Sequence, residues 1–242
     1  SLPGLAAMNA VIPLGGTSNH FDTRVLQDLL GWDAYNVTED CDLGLRLFCG
    51  GWRTRILNST TWEQACPDVR FWIPQRSRWV KGYIQTYFVH LRSPLKLCRG
   101  LGILNSLHFH LLIGSTSFCQ LVNPIYWILT VIWLISHDTA FSAYFPGPVF
   151  VMAAVCLFVG NFLFAYTCSI ACVRRGVGHL AKYGLAMPLY WALMSIGAWK
   201  GFLQLFFKPH YWEKTKHFAQ VEPPLSAATA SPVPQGIGTP HA

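Results

Sequence analysis

Charge is what this sequence has least of. Only 12% of its 242 residues are charged, against about 25% in an ordinary soluble domain. That deficit, with 52% hydrophobic residues, excludes a disordered chain and argues against an ordinary soluble globular domain. Paired cysteines are absent too. The eight Cys stand singly at 41, 49, 66, 98, 119, 156, 168 and 172 with no C-x-x-C, which argues against a zinc ribbon or a thioredoxin-like motif. The start carries no basic stretch, apolar run and cleavage site in series. It opens Ser1-Leu2-Pro3-Gly4 without an initiator Met, as a piece of a longer protein would. No basic stripe interleaved with aromatics is visible, so nucleic acid is not an expected partner.

What is present is apolar length. The mean hydropathy is +0.32, and the charges are unevenly placed. Eight of the eleven acids lie at or before Asp68, and between Arg99 and Arg174 the only formal charge is Asp138. An apolar run from 103 to 136 contains His108, His110 and Asn123-Pro124. Pro124 predicts a kink or a restart there, and Gln120 to Ser136 is about one membrane span. Pro148 to Val173 is a second span candidate. The loop between them, 137–147, has no Lys or Arg, whereas Arg92, Lys96 and Arg99 precede and Arg174, Arg175 and Lys182 follow. That is the positive-inside pattern. It predicts a multi-pass protein of the cell (inner) membrane, in contact with the lipid bilayer, with front and back parts cytoplasmic. Leu185 to Phe207 is expected to be an interfacial helix, given Trp191, Trp199 and Lys200. The Pro/Ala/Ser-rich tail from Pro223 is expected to be disordered.

The front reads as α/β. Thr38-Glu39-Asp40 predicts a helix start, with Thr38 as cap and the acids on the positive dipole end. Leu43 and Leu47 share a face, and Gly50-Gly51 is a stop signal. Trp52 to Leu57 alternates as a short strand does. A second helix is expected from Pro74 to about His90, with an aromatic stripe of Trp79, Tyr83 and Tyr87.

Four short motifs could carry chemistry. Asp40, held ionised at a helix N-terminus, could act as a general base; a capping acid needs the same residues. Gln75-Arg76-Ser77-Arg78-Trp79 offers fixed cationic donors for a phosphate and a flat ring for a sugar; an interfacial helix with snorkelling Arg looks alike. Pro209 to His217 packs Lys, Thr and His outside a membrane, which could clamp a diphosphate or simply lie on acidic lipid. Gly15-Gly16-Thr17-Ser18-Asn19 lets a backbone approach a ligand closely, or is a plain turn. His108 and His110 do not share a helix face, so they are rejected as metal ligands.

Taken in order, the Gly-rich loop, T-E-D, Q-R-S-R-W, two spans and W-x-x-T resemble the membrane-embedded family 2 glycosyltransferases, the group of cellulose synthase and hyaluronan synthase. The resemblance covers roughly residues 10 to 217. It implies that Asp40 is the base that deprotonates the acceptor hydroxyl. It implies that Glu39, Gly16, Thr17, Ser18 and Trp79 line the acceptor site, with Trp79 stacked on the sugar. Gln75 and Arg78 would bind the donor diphosphate. Trp212 and Thr215 resemble a gating loop that closes on the nucleotide, helped by Lys214 and His217. The family has Lys where His217 stands; Lys214 or Lys216 could substitute.

The family's early nucleotide-binding Asp and its metal-binding D-x-D do not precede T-E-D here. Mg2+ or Mn2+ is implied by the family, with its D-x-D ligands absent and no metal ligand in this sequence. The expectation is therefore the C-terminal part of a GT-A-type domain at 1–92, a membrane region at 93–218 and a tail at 219–242. The implied function is inverting transfer from a UDP- or GDP-sugar to a glycan acceptor. Two alternatives are a transferase acting on a lipid carrier or glycolipid, and a non-catalytic transporter or scaffold.

Overall fold

The computed structural model describes residues 2–57, 59, 61, 63–136, 147–211 and 213. The tail from Pro223, with Asp138, Trp212, Lys214, Thr215, Lys216 and His217, lies outside the described residues. Among the described residues the regular structure is helical. In chain order it comprises α1 (Leu2–Ala7), α2 (Thr23–Asp28), α3 (Glu39–Cys49), α4 (Val69–Leu91), α5 (Pro94–Leu101), α6 (Ile103–Phe109), α7 (Thr116–Ser136), α8 (Gly147–Val155), α9 (Asn161–Arg174) and α10 (Met187–Phe207). Wide π-turns join α6 to α7 and α8 to α9, and a 3-10 stretch, Gly178–Ala186, leads into α10.

Helix α3 begins at Glu39, as the three acids in its first turn favour. Thr38 occupies the cap position but does not cap with its side chain. Its side chain is instead packed where Gly82 of α4 leaves room, and a Cβ on Gly82 would collide with it. The helix ends at Gly50: Gly51 takes φ +88° and the Trp52 N–H returns to the Leu47 carbonyl at 3.0 Å. This is a glycine-dependent C-terminal turn.

Two expectations for the front part are corrected. Trp52 to Leu57 forms no strand; Thr54 and Ile56 are half-buried between exposed neighbours. A strand exists only with a backbone partner to accept and donate its hydrogen bonds, and no described segment supplies one. Helix α4 starts at Val69, not Pro74, because the Asp68 carboxylate accepts from the Arg70 N–H at 2.8 Å and sets the cap earlier. Pro74 then falls inside the helix as its sixth residue, where it forfeits the one bond that its N–H would make to the Arg70 carbonyl.

Two cores hold these helices. Cys41, Leu45 and Phe48 of α3 pack with Leu97 and Leu101 of α5 and with Phe109 and Ile113 at the base of the long helix. Val80 and Ile84 of α4 pack with Ala198 of α10, flanked by Leu121, Met194 and Phe202. Glycines set the second contact. A Cβ on Gly201 would lie 2.5 Å from the Ser77 carbonyl oxygen, and one on Gly197 would lie 3.3 Å from Arg76 Cβ. Gly197 and Gly201 are one turn apart, so α10 presents a G-x-x-x-G face to α4.

Ile103–Ser136 is the one helix among the described residues that is long and apolar enough to cross a membrane. Its 34 residues would extend roughly 50 Å. Its first half contributes buried Phe109 and Ile113, and its second half is largely exposed. Pro124 neither restarts nor breaks it. In the turn before the proline, the Trp199 indole N–H donates to the Leu121 carbonyl at 3.0 Å, so this carbonyl has a partner from α10.

Candidate active site

Residues 11–14 deliver the small-residue loop to α3. Val11 and Ile12 are buried, and their segment lies so close to α3 that a Cβ on Gly44 would be 2.5 Å from the Ile12 carbonyl oxygen. Only glycine permits that approach. The loop that follows is closed by Asn19, whose side-chain N–H donates to the Gly15 carbonyl. Ser18 Oγ pairs with Thr61 Oγ1 at 2.7 Å, and Thr17 Oγ1 donates to Glu63.

This arrangement sets Gly16 against Asp40: a Cβ on Gly16 would lie 3.5 Å from Asp40 Oδ2. Between them is an open cleft of about 410 Å³. It is lined by Gly16, Ser18 and Asn19 of the loop, by the rings of Phe21 and Trp32, and by Glu39 and Asp40 at the start of α3. Thr17 points to Glu63 and is not among its walls.

The electrostatics centre on Asp40. Partial burial pushes its carboxyl above the ordinary carboxylate range. The backbone N–H groups of Cys41 and of Asp40 itself, and then the charge of Arg78, act in the opposite direction without cancelling burial. Cys41 N–H donates to Asp40 Oδ1 at 2.7 Å. Arg78 in turn is pushed down by burial and back up by Glu39 and Asp40. The two T-E-D acids and the Q-x-x-R-W arginine, about 40 residues apart in sequence, therefore share one electrostatic environment. Burial, with Cys41 and Asp40 nearby, pushes the Tyr83 phenol up to about 12, so it remains neutral beside them.

Asp42, two residues on, has a different task. It is 3% exposed, accepts from Arg46 Nε at 2.6 Å and pairs with His90 Nε2 of α4 at 2.8 Å. Burial would push its carboxyl up; the bonds from His90 and Arg46 outweigh that and hold it below the usual range. Asp40-Cys41-Asp42, the one D-x-D in the sequence, thus has one carboxylate facing the cleft and one spent on a buried ion network. Residues two apart on a helix do not face one ion. Among the described residues no three His, Cys, Asp or Glu side chains cluster for a metal. The residues present do not fit the divalent ion that the resemblance implies.

Of the other expected residues, Gln75 is half-buried on α4. Trp79 is 36% exposed, with the Arg76 guanidinium 4.0 Å above its ring, and it is not among the cleft's lining residues. Lys214, Thr215 and His217 lie outside the described residues, but the turn leading to them does not. Lys81 of α4, wholly buried, donates from Nζ to the carbonyls of Lys208 at 2.6 Å and Tyr211 at 3.0 Å. Gln85 donates to the Pro209 carbonyl at 3.0 Å, and Lys200 pairs with Glu213 at 2.8 Å. The helix that bears Arg78 and Trp79 is thereby tied to the chain leaving α10.

Sequence reasoning missed Phe21, Trp32, Lys81 and the Asp42–His90 pair. Nothing local marks His90 as the partner of Asp42.

Residues 5–203 match the model of the family described as glycosyl transferase family group 2. A protein of Bacillus subtilis (strain 168) named "Probable glycosyltransferase YdaM" is 32% identical over 91 residues. That match covers 37% of this chain and 21% of the relative, so the chain spans about a fifth of the relative's length. No solved structure matches. The family match takes in the small-residue loop, T-E-D and Q-R-S-R-W together: the chain belongs to glycosyl transferase family group 2.

Proposed function

We propose that this chain carries the acceptor side of a membrane-embedded, inverting glycosyltransferase of the cellulose and hyaluronan synthase kind. The observation that carries the reading is Asp40, held in an open cleft against Gly16 within the field of Arg78. Transfer from a nucleotide sugar needs a base on the incoming hydroxyl and positive charge on the leaving diphosphate. Asp40 is the base. It takes the hydroxyl proton as the acceptor oxygen bonds to the anomeric carbon and the bond to the diphosphate breaks. One such displacement inverts the anomeric centre, so an α-linked UDP- or GDP-sugar gives a β-linked product. Glu39, Gly16 and Ser18 hold the acceptor, Thr17 steadies their loop through Glu63, and Trp79 serves the sugar from α4. Arg78 and Gln75 bind the diphosphate, and Lys214, Thr215 and His217 are the further residues assigned to it in this reading. The divalent ion of the family belongs to the donor side, and no step here is routed through it.

Residues 1–92 form the cytoplasmic acceptor portion in this reading, and 93–218 the membrane region. Ile103–Ser136 supplies one span; the apolar helices from Gly147 to Arg174 supply the return, with α10 along the cytoplasmic face. The product is a polysaccharide. Incubating membranes that contain the full native protein with radiolabelled UDP-glucose, UDP-N-acetylglucosamine or GDP-mannose tests this. A ladder of β-linked oligosaccharides from one donor supports it. Addition of a single sugar to lipid favours action on a lipid carrier instead.

A further inference from the structure

We infer that Trp32, with Phe21 set perpendicular to it, is a stacking platform for a pyranose ring of the acceptor. The inference rests on the reading of the Asp40 cleft as the acceptor site. Trp32 lines the same cleft as Asp40, and it is 49% exposed. The Phe21 and Trp32 rings meet at 86° with centroids 5.8 Å apart. A perpendicular contact covers at most one indole face, so a second face remains for a ligand.

The platform is built, not incidental. Leu30 and Gly31, the two residues before Trp32, take φ +59° and +67°. An L-residue adopts the left-handed region at a cost, and Leu30 recovers nothing by burial, being 91% exposed. The turn is held from beneath. Arg46 donates from its two terminal nitrogens to the carbonyls of Leu29 at 2.7 Å and Gly31 at 2.8 Å. The same guanidinium is fixed by Asp42, and Asp42 by His90. A buried ion network thus grips a strained turn whose visible product is an exposed indole beside the base. The same turn closes the C-terminus of α2, where the Leu30 N–H bonds the Gln27 carbonyl and the Gly31 N–H that of Leu26, so the place of Trp32 beside the base is fixed from both sides.

The chemistry selects a ligand class. An indole face suits the C–H face of a pyranose whose hydroxyls are equatorial, as in gluco-configured sugars. Ser18 and Asn19 in the same cleft can meet those hydroxyls at the ring's edge. A lipid-linked phosphate offers no such face. Trp79 is less suited on one side, because the Arg76 guanidinium already occupies a face of its ring.

The test uses the full native protein in its membranes, with cellotetraose and chitotetraose as acceptor probes and the three nucleotide sugars above as donors. Trp32→Ala should raise the acceptor KM at least tenfold while kcat at saturating acceptor falls less than threefold. Trp32→Phe, which keeps a ring, should restore most of the acceptor affinity. An unchanged acceptor KM in Trp32→Ala overturns the inference when Asp40→Asn abolishes transfer. If Asp40→Asn leaves transfer intact, the cleft is not the acceptor site and the underlying reading fails first. Should Trp32→Ala not accumulate, 5-fluorotryptophan labelling of the wild type and Trp32→Phe assigns the Trp32 fluorine resonance. A shift of that resonance with either tetrasaccharide supports the platform, and an unmoved resonance with both overturns it.

Discussion

Asp40 is caught between burial, which raises its proton affinity, and Arg78 and the backbone amides, which lower it. A general base works only when ionised. Because its carboxyl sits above the ordinary range, activity should fall on acidification at a pH higher than an unperturbed Asp, near 3.9, would give. Arg78 favours the ionised form, so Arg78→Gln removes that help. The acidic limb of the kcat profile should then move further up in pH, in addition to any loss of diphosphate binding. A limb that stays in place when Arg78 is neutralised would show that the two side chains do not communicate. At this scale, T-E-D and Q-x-x-R-W were readable because the residues lie together along the chain. Lys81 and its acceptor carbonyls are 127 and 130 residues apart, and no local pattern records such a pairing. Thr38 shows the reverse case: its cap position was legible, but the close approach of Gly82 took its side chain elsewhere.

The contact of α4 with α10 positions Arg78 relative to the turn after α10. It depends on glycine: a methyl on Gly201 would press on the backbone carbonyl of Ser77, which cannot rotate away. Gly201→Ala should therefore separate the helices and destabilise the detergent-solubilised protein by about 2 kcal/mol, read as a lowered Tm. Leu203→Ala, on the exposed face of α10, should leave the Tm nearly unchanged. Equal shifts from both substitutions would mean that the glycine face is not the site of contact. Helices with their own start and stop signals were legible. Helix α3 has acids in its first turn and two glycines after it. The start of α4 was misplaced because Pro74 is the louder signal, while the residue that caps is Asp68. The segment from Trp52 alternates as a strand does, but pairing is a property of two segments and one sequence window contains only one.

The molecule as a whole is welded across the boundary between its polar front and its apolar back. Phe109 and Ile113, at the base of the long helix, are core residues for α3 and α5. The same helix continues into exposed residues such as Ile135, 78% exposed. Burying such a surface in lipid removes apolar area from water at about 25 cal/mol per Å². The protein should therefore remain in the membrane pellet through an alkaline carbonate wash and be released only by detergent. Release by carbonate alone would mean that Ile103–Ser136 does not span. The apolar run from 103 to 136 was legible in the sequence as one long apolar helix; the core it shares with α3 and α5, made by residues some 60 positions apart, was not. One measurement bears most directly on the central claim that Asp40 is the base of a glycosyl transfer. Nucleotide-sugar consumption by the full native protein should fall on the order of a thousandfold in Asp40→Asn, with the protein still folded and in the membrane. Turnover within a few-fold of the wild type would contradict the account.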